Sequence, residues 1–405
     1  MSKKIVVQKF GGTSVGSPEK IKAVANRTSQ LLENNNKLVI VVSAMGNTTN
    51  QLVKLSKEIT SNPSPREYDA LVSTGENVSA SLLAMSFQSL GIDAISLTGA
   101  QAGILTQDLH AKAKILTIKT DRIKKELDDN KVVIITGFQG INPNADVTTI
   151  GRGGSDTSAV ALAAALDCEE CEIYTDVDGV YTTDPRKIKD AKKLKEVSYE
   201  EMLEMASLGA KVLHPRAVEC AKENKIILHV RSSFELTEGT RVKEVNQLEV
   251  SKPVTGITIN ENEAIISMIR VPNSPGIAGD IFKELAENSI NVDMIIQNVL
   301  EKTDSNNISF SIHEDDLDQT LTITKSIAKK LNCKILSDTS IAKISCVGIG
   351  MISKPGTAAK MFTALGRKNI NILRITTSEI KISCAIQQKD AQKALEVLHK
   401  EFELE

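Results

Sequence analysis

The sequence predicts an α/β protein in which a mainly parallel sheet is sandwiched by helices and two smaller ferredoxin-like βαββαβ modules follow. In the first half of the chain, short apolar segments such as Leu38–Val42 alternate with helical patterns, as is typical of strands buried in a parallel sheet. In the second half, the pair Pro275-Gly276 recurs as Pro355-Gly356. This self-similarity indicates a duplicated module.

Length and composition limit the possible functions. With 405 residues the chain is too long for one ordinary core, so we expect two or three domains. A net charge of -2, 3% aromatic residues and no tryptophan give no support for nucleic-acid binding. No apolar run is long enough to span a bilayer, and the N-terminus leads directly into a strand. We therefore expect a cytoplasmic protein with no signal peptide and no membrane partner.

The first strand ends in a glycine turn. The segment Ile5–Phe10 carries Lys9 near its end, and Gly11-Gly12 follow directly. A lysine at the end of a buried strand needs a partner, and a point cation beside bare backbone amides suits a polyphosphate. The residue order matches neither a Walker A loop nor the dinucleotide-binding fingerprint. The turn therefore predicts a phosphate site of another kind.

Two later strands are expected to end beside the first. The apolar segment 38–42 runs into a polar turn that starts at Ser43, and the segment Val132–Thr136 ends at Gly137. In open α/β sheets, ligands bind beyond the carboxyl ends of the strands. The loops that follow Lys9, Ser43 and Gly137 are therefore expected to share one edge of the sheet.

Helical patterns separate these strands. Ser17 as N-cap and Pro18 as first residue predict a helix that ends near Leu32. A second helix opens at 73–76 and carries Glu76 in its first turn, where an acidic residue is favoured in any case. Amphipathic patterns predict further helices over Asp121–Asp128 and 199–206.

The stretch Gly151–Thr157 is a second glycine loop, and it leads into an alanine-rich helix. Such a loop brings backbone N–H groups and the positive end of the helix dipole to one point, which suits an anion. Ser155, Asp156 and Thr157 are all expected to be able to cap the helix, and Arg152 offers a planar fork for a carboxylate or a phosphate. The alternative is an ordinary capped helix after a glycine turn.

Two patterns resemble metal sites but lack a full signature. Asp176 and Asp178 resemble the start of an EF-hand loop, but the glutamate at the twelfth position is missing. Cys168 and Cys171 have the spacing of a metal or redox pair, but no second pair follows at zinc-site spacing. We therefore predict no protein-bound metal here and a packing role for the cysteines.

Three motifs resemble the signatures of aspartate kinase, within the amino-acid kinase family. These motifs are Lys9-Phe10-Gly11-Gly12-Thr13-Ser14, Gly151–Thr157 and Thr175–Arg186. The repeat resembles the tandem ACT domains in the regulatory half of that family, because Phe282 and 290–292 recur as Phe362 and 370–372. The resemblance covers essentially the whole chain, and its first motif is highly specific.

The resemblance implies a catalytic domain over 1–242, a linker over 243–253, a first ACT module over 254–338 and a second over 339–405. The strand at 254–260 resembles the piece that completes the second module, so the pair is expected to interleave. The implied catalytic sheet has eight strands, most of them parallel. ACT modules of the family pair between chains, so the resemblance also implies a homodimer or a larger assembly.

The activity implied by the resemblance is ATP-dependent phosphorylation of the side-chain carboxylate of L-aspartate, which opens lysine, threonine and methionine biosynthesis. The product is 4-phospho-L-aspartate, and no covalent enzyme intermediate is implied. Lys9 would stabilise the transferring phosphoryl group, Asp156 would organise the centre around Lys9, and Mg²⁺ would arrive with ATP.

Other residues match binding positions of the family. The implied aspartate-binding residues are Thr49, Glu76, Arg152 and Ser155. The implied ATP-binding residues are Lys9, Gly11, Gly12, Ser14, Thr175, Asp176, Tyr181, Arg186 and Lys211. The implied effector-binding residues are Ser274, Pro275, Gly276, Ile277, Ala278 and Gln297 in one pocket, and Thr357, Ala358, Ser378 and Glu379 in the other.

Lysine, threonine or both are the expected effectors of these pockets. Arg374 stands in a strand where the family has an apolar or acidic residue, and a cation near the pocket would work against lysine. The sequence ends after one ACT pair, so we expect no fused homoserine dehydrogenase.

Two alternatives stay open. A kinase of glutamate, acetylglutamate or a nucleotide would share the sheet and the glycine loops, but the first motif and the ACT pair count against it. A non-catalytic amino-acid sensor is the second alternative. The presence of Lys9, Arg152 and Asp156 together counts against that alternative.

Overall fold

The computed structural model describes residues 3–34, 36–210, 212–245, 252–300 and 305–405. The chain divides into two compact units, one formed by Met1–Thr182 with Lys193–Leu248 and the other by Thr183–Lys192 with Glu249–Glu405. The first unit therefore consists of two sequence segments, whereas the predicted catalytic domain over 1–242 was continuous. The boundaries at 242 and 253 stay predictions, and residues 246–251 of the predicted linker lie outside the described residues.

The first unit alternates strands and helices. Its strands are β1 (Ile5–Phe10), β2 (Lys37–Val42), β3 (Ala94–Leu97), β4 (Ile104–Thr106), β5 (Ile115–Ile118), β6 (Val132–Thr136), β7 (Gln139–Ile141), β8 (Val147–Thr149), β9 (Glu170–Thr175), β10 (Glu196–Ser198), β11 (Ile227–Ser232) and β12 (Thr240–Lys243). Its helices are α1 (Pro18–Glu33), α2 (Thr48–Ile59), α3 (Pro65–Val72), α4 (Thr74–Ser89), α5 (Asp121–Asp128), α6 (Gly154–Ala165), α7 (Tyr199–Ser207) and α8 (Pro215–Asn224).

An eight-stranded sheet forms the centre of this unit, with the order β10-β12-β11-β9-β1-β2-β6-β3. All neighbouring strands run parallel except β11 and β12, which are antiparallel. The predicted mainly parallel sheet is confirmed. Residues 38–42 of β2 are fully buried, as expected of a strand that is apolar on both faces.

The predicted helix starts at Pro18, 73–76, Asp121 and 199 are confirmed, and the expected start of α6 is wrong. Ser17 caps α1 by accepting a hydrogen bond from the backbone N–H of Lys20, and Pro18 is its first residue. Helix α5 covers the predicted 121–128. Helix α6, however, begins at Gly154, before Ser155, Asp156 and Thr157, which were expected to cap it.

The first unit has a second sheet, which was not predicted from the sequence. Strands β5, β4, β7 and β8 form it in that order, and each has only three or four residues. Strands this short carry too few alternations to stand out from turns. This small sheet leads directly into the Gly151–Thr157 loop.

The second unit is built on one antiparallel six-stranded sheet. Its strands are β13 (Gly256–Pro272), β14 (Ile295–Leu300), β15 (Ser305–His313), β16 (Lys334–Val347), β17 (Ile372–Thr377) and β18 (Lys381–Gln387). Their order is β14-β15-β13-β16-β18-β17. Its helices are α9 (Ile277–Glu287), α10 (Leu317–Leu331), α11 (Thr357–Arg367) and α12 (Ala391–Glu401).

Strands β13 and β16 are long enough to serve both halves of this sheet. The first part of β13, from Gly256 to Asn260, pairs with 343–347 of β16, and its later part pairs with β15. Val254 and Ile257 pack in one core with α11 and α12. The segment 254–260 therefore lies in the half that the resemblance implied.

Matching hydroxyl pairs mark the duplication. Ser267 and Ser309 join β13 to β15 with an Oγ–Oγ distance of 2.9 Å, and Ser345 and Ser383 join β16 to β18 at 2.7 Å. Each pair is buried.

Across the described residues of both units, no helix is long and apolar enough to cross a membrane.

Candidate functional site

The candidate site lies at the carboxyl edge of the central sheet. Strands β9, β1, β2 and β6 are neighbours and run parallel, so their last residues reach the same edge. The backbone N–H of Ser43 bonds to the carbonyl of Phe10, and that of Gly137 bonds to the carbonyl of Val42. The predicted convergence of three loops at one edge is confirmed.

The two predicted catalytic residues form an ion pair at this edge. Lys9 Nζ lies 2.6 Å from Asp156 Oδ1, and the two side chains are only 11% and 13% exposed. Lys9 sits in β1 between Val41 and Ile173 of the neighbouring strands. A nearly buried pair interacts more strongly than a surface pair, because little water screens it. The pair thus holds the Lys9 ammonium at a fixed place at the carboxyl edge of the sheet.

The first glycine loop packs closely around this lysine. A Cβ on Gly11 would lie 3.4 Å from Lys9 Nζ, and a Cβ on Gly12 would lie 2.7 Å from the carbonyl oxygen of Ala44. Gly12 is therefore required for the close approach of two strand-end loops. Further along the loop, Ser14 Oγ lies 2.6 Å from Ser233 Oγ after β11. Four of the residues predicted to bind ATP thus lie in one continuous segment, with Lys9 at the end of β1 and Gly11, Gly12 and Ser14 in the loop that follows it.

The second glycine loop starts α6 earlier than expected. Gly153 is the N-cap residue, with φ of +71°, and no side chain caps the helix. A Cβ at Gly153 would overlap the ring of His214, so both its φ and its surroundings require glycine. Ser155 and Asp156 consequently lie in the first helical turn, and Thr157 donates its hydroxyl to the carbonyl of Gly153. The expected side-chain cap is wrong because a left-handed glycine replaces it.

Ser155 and Asp156 therefore take different positions around the loop ends. Ser155 is buried against Gly137, where a Cβ would lie 2.7 Å from that of the serine. Asp156 reaches Lys9. The loop after β6 and the start of α6 are thus in direct contact, and the predicted substrate residue Ser155 directly precedes Asp156 of the predicted catalytic pair.

Glu76 is a buried carboxyl with an unused oxygen. It is 3% exposed, its Oε1 accepts a hydrogen bond of 3.2 Å from the backbone N–H of Ala44, and its Oε2 has no protein partner. Burial raises its pKa to about 7, against the opposing effect of the Ala44 N–H. An unpaired buried acceptor is costly unless a ligand completes it. This carboxyl is therefore a candidate partner for a cationic ligand group.

Thr49 and Arg152 border this region. Thr49 is half-buried in the first turn of α2, and its neighbour Thr48 lies against Gly75, just before Glu76. Arg152 is exposed between Gly151 and Gly153 of the second loop. These positions alone assign no role, so both remain predicted substrate residues.

His214 is a site residue to which the sequence analysis assigned no role. Burial lowers its pKa, Asp156 acts in the opposite direction, and Arg216 and Arg152 lower it further. Its Nδ1 accepts a hydrogen bond from the backbone N–H of Arg216, so its ring is fixed over Gly153. The only sequence signal was a His-Pro pair at a helix start, which is too common to identify a site.

The loop after β9 carries the predicted nucleotide-side residues. The Thr175 hydroxyl donates to Asp176 Oδ1 at 3.0 Å. The Tyr181 hydroxyl donates to Asp178 Oδ1 at 2.8 Å, and Lys193 Nζ lies 2.9 Å from Asp178 Oδ2. Burial and the bond to Asp178 raise the pKa of Tyr181 to about 12. The turn is thus held by its own side chains and by Lys193.

Two predicted ATP-binding residues are not brought to this edge by the described contacts of the first unit. Arg186 belongs to the second compact unit, where it makes hydrogen bonds of 2.9 and 2.8 Å to Asp184. Lys211 lies outside the described residues. Both assignments stay predictions.

The two predicted effector pockets have matching turns. Gly276 and Gly356 each have a φ of +95° and are the N-cap residues of α9 and α11. The other predicted pocket residues lie around these turns and on the edge strands: Ser274, Pro275, Gln297, Ser378 and Glu379 are exposed, Ile277, Ala278 and Ala358 are half-buried, and Thr357 is buried. Arg374 lies in β17, as expected, and donates a 2.8 Å hydrogen bond to the carbonyl of Leu373.

One group of described side chains has the spacing of metal ligands. Potential ligand atoms of Glu170, Glu172 and His229 lie within 4.8 Å of one another. Arg231 donates to Glu172 at 2.9 Å, and Arg241 lies 3.3 Å from Glu170. Because two guanidinium groups neutralise the two carboxylates, we interpret this group as a salt-bridge layer on the sheet. The six cysteines are free, and Cys168 and Cys171 are buried.

Comparisons with known proteins agree with this arrangement. Residues 4–232 match the amino acid kinase family, and residues 264–332 and 344–402 each match the ACT domain. An aspartokinase from Bacillus sp. (strain MGA3) is 51% identical over 401 residues, which cover 99% of this chain and 97% of the relative.

Two solved structures of E. coli aspartokinase III, each 26% identical, cover 98% of this chain and 99% of theirs. The R-state complex with aspartate and ADP gives a TM-score of 0.82, and the T-state complex with lysine and aspartate gives 0.78. The full-length relatives, the kinase domain and the paired ACT domains together show that this chain belongs to the aspartokinases of the amino acid kinase family.

Proposed function

We propose that this enzyme transfers the γ-phosphoryl group of ATP to the side-chain carboxylate of L-aspartate, giving 4-phospho-L-aspartate and ADP. The observation that carries the proposal is the Lys9–Asp156 ion pair, 2.6 Å long, at the edge where three strand-end loops converge. The E. coli relative that binds aspartate and ADP has the same overall fold. The reaction is the first step of lysine, threonine and methionine biosynthesis.

Lys9 would act on the phosphate side of the reaction. Its ammonium lies next to Gly11, where no side chain intervenes, and Ser14 follows in the same loop. In phosphoryl transfer the protein contributes mainly positioning and charge stabilisation. Lys9 would stabilise the charge on the transferring group, and Asp156 would hold the lysine in place. The Asp156 carboxylate also suits Mg²⁺, which would neutralise phosphate charge when bound with ATP.

Glu76, Arg152, Ser155 and Thr49 would bind L-aspartate. The unused Oε2 of Glu76 suits the ammonium group of the substrate, and the exposed guanidinium of Arg152 suits its α-carboxylate. The substrate side chain needs no general base, because an aspartate carboxylate is already ionised at neutral pH. The protein therefore orients two charged substrates and makes no covalent intermediate.

The ACT modules would make this activity sensitive to an end-product amino acid. The support is the pair of equivalent turns at Gly276 and Gly356 and the lysine bound to the E. coli relative. We propose that lysine, threonine or both bind near these turns, with Gln297 in the first pocket. We also propose that the enzyme is cytoplasmic and forms a homodimer or a larger assembly through its ACT modules.

A hydroxylamine trap tests the reaction. The enzyme is mixed with ATP, Mg²⁺ and one acceptor, and hydroxamate formation is followed. We expect hydroxamate from L-aspartate and none from L-asparagine, whose side-chain carboxyl is blocked. The isomer isoasparagine, whose α-carboxyl is blocked instead, keeps the acceptor group and should react weakly. Hydroxamate from glutamate or acetylglutamate but not from aspartate would replace the proposed substrate.

A further inference from the structure

We propose that Asp69 is a positioning residue that fixes the Arg152 loop relative to Glu76 and thereby sets the affinity for the amino-acid substrate. The inference rests on the proposed function and adds a residue to its aspartate-binding side. Asp69 lies on α3 and is completely buried. A buried carboxyl group is retained in a fold only when hydrogen bonds satisfy it.

Donors from two other segments surround this carboxyl. The backbone N–H of Ala111 donates to Oδ2 at 2.9 Å, and the backbone N–H of Thr149 donates to the same oxygen at 3.0 Å. The Thr149 hydroxyl donates to Oδ1 at 2.6 Å, and His110 Nδ1 lies 2.9 Å from Oδ2. One side chain therefore joins α3, the loop before β5 and the end of β8.

The joined segments form the base of the Arg152 loop. Ala111 has a φ of +65°, a conformation that residues with a Cβ adopt only when their surroundings hold them there. Its carbonyl oxygen packs against Gly151, where a Cβ would be 3.0 Å away. Arg216 also joins these segments by donating to the carbonyls of Ile150 and Ala113. Arg152 is the next residue after this packed base.

The other end of the connection leads to Glu76. Helix α3 runs into α4 through Ser73, whose carbonyl accepts a 2.8 Å hydrogen bond from Gln139. Glu76 lies in the first turn of α4. Asp69 thus stands on the short covalent path to one proposed aspartate-binding residue and is hydrogen-bonded to the segment that carries the other. The hydrogen bonds of its carboxyl do not reach β1 or β9, where the proposed phosphate residues lie.

This placement predicts a selective effect. Without the carboxyl, the ammonium-binding and carboxylate-binding groups would lose their fixed separation, and binding of aspartate would weaken. The phosphate side, built on Lys9 and Gly11, would keep its geometry. A residue needed only for stability would instead reduce the amount of folded enzyme without changing either KM.

The test is Asp69→Asn, which keeps the shape but turns an N–H donor toward backbone donors. We expect KM for aspartate to rise roughly tenfold to 100-fold, because small misplacements of binding groups have effects of that size. KM for ATP and the Kd for ADP, measured by calorimetry, should stay unchanged. Thr149→Val, which removes only the hydroxyl donor, should raise KM for aspartate less and in the same direction, and it provides the readout if Asp69→Asn does not fold.

Asp146→Asn is the matched control. It removes the partly exposed ion pair between Arg66 and Asp146, which joins α3 to the turn between β7 and β8 with an N–O distance of 2.9 Å. Both KM values should stay unchanged in this variant. Equal rises in the two KM values of a folded Asp69 or Thr149 variant, or no rise in either, would overturn the inference. Hydroxamate formation by the wild-type enzyme tests the proposed reaction separately.

Discussion

At the scale of single residues, the site depends on charges that are nearly removed from water. Lys9 and Asp156 neutralise each other, and Glu76 has one oxygen without a protein partner. The two arrangements have opposite consequences. Removal of one member of a pair leaves a buried charge, whereas removal of an unpaired carboxyl relieves one.

We expect Lys9→Ala to lower turnover by roughly 100-fold to 1000-fold or more, because it removes the cation that is proposed to stabilise the transferring group. Circular dichroism should show an intact fold. Lys37→Ala is the matched control. Lys37 lies on β2 of the same sheet and also pairs with an aspartate, but its partner Asp128 is exposed. Near-normal turnover in the Lys9 variant would remove its assigned role.

Glu76 predicts a pH dependence of substrate binding. Its pKa of about 7 means that the carboxylate form, which an ammonium group requires, is lost as the pH falls through 7. KM for aspartate should therefore rise roughly tenfold per pH unit below 7, while KM for ATP changes little. An aspartate KM that stays flat between pH 8 and pH 6 would exclude Glu76 as the ammonium partner.

Glu76 also predicts a pH dependence of folding stability. Its sign is opposite to that of substrate binding, because stability falls as the pH rises. Its folded pKa lies above the ordinary value of 4.5, so its contribution to stability is full below pH 4.5 and is lost as the pH rises through about 7. At pH 8 and without substrate, Glu76→Gln should stabilise the fold by about 1–3 kcal/mol and abolish aspartate binding. Glu126→Gln is the control, because buried Glu126 is paired with Lys131 and its loss should destabilise. Thermal unfolding of both variants measures the difference.

At the scale of elements, the sequence predicted long regular segments well and loop geometry poorly. Strand β2 and helix α5 follow from an apolar run and an amphipathic pattern. The start of α6 could not be predicted in this way, because glycine at a left-handed N-cap looks the same in sequence as glycine in an ordinary turn. His214 was missed for a related reason, since only the folded loop places its ring against Gly153.

Gly153→Ala tests the importance of that loop. The substitution forces a Cβ into both a left-handed backbone position and the His214 ring, so we expect a destabilisation of about 1–3 kcal/mol and a large loss of turnover. Gly366→Ala, in the last turn of α11 with free space around it, should be neutral or stabilising. Equal behaviour of the two variants in thermal unfolding would contradict the assigned loop geometry.

At the scale of the whole molecule, the repeat was readable because turns and helix contacts recur at matching positions. The resemblance also placed segment 254–260 with the second module. What the sequence did not reveal is that β13 and β16 continue through both halves of one sheet. Strand length depends on pairing with distant residues, which periodicity alone does not report.

The regulatory half has its own prediction. Gln297→Ala should weaken end-product inhibition and leave turnover without effector unchanged, because Gln297 is exposed on β14 in the second unit and lies in no part of the kinase unit. Asn298→Ala, the next residue on the same strand, is the matched control. Inhibitor titrations that are identical for the Gln297 variant and the wild type would count against this pocket.

The most direct test of the central claim is the formation of aspartyl hydroxamate from L-aspartate, ATP and Mg²⁺ in the presence of hydroxylamine, with and without lysine and threonine. The wild-type enzyme should form the hydroxamate, Lys9→Ala should not, and lysine, threonine or the two together should suppress it. Folded wild-type enzyme that forms no hydroxamate from aspartate would contradict the assignment of this site as an aspartate kinase centre.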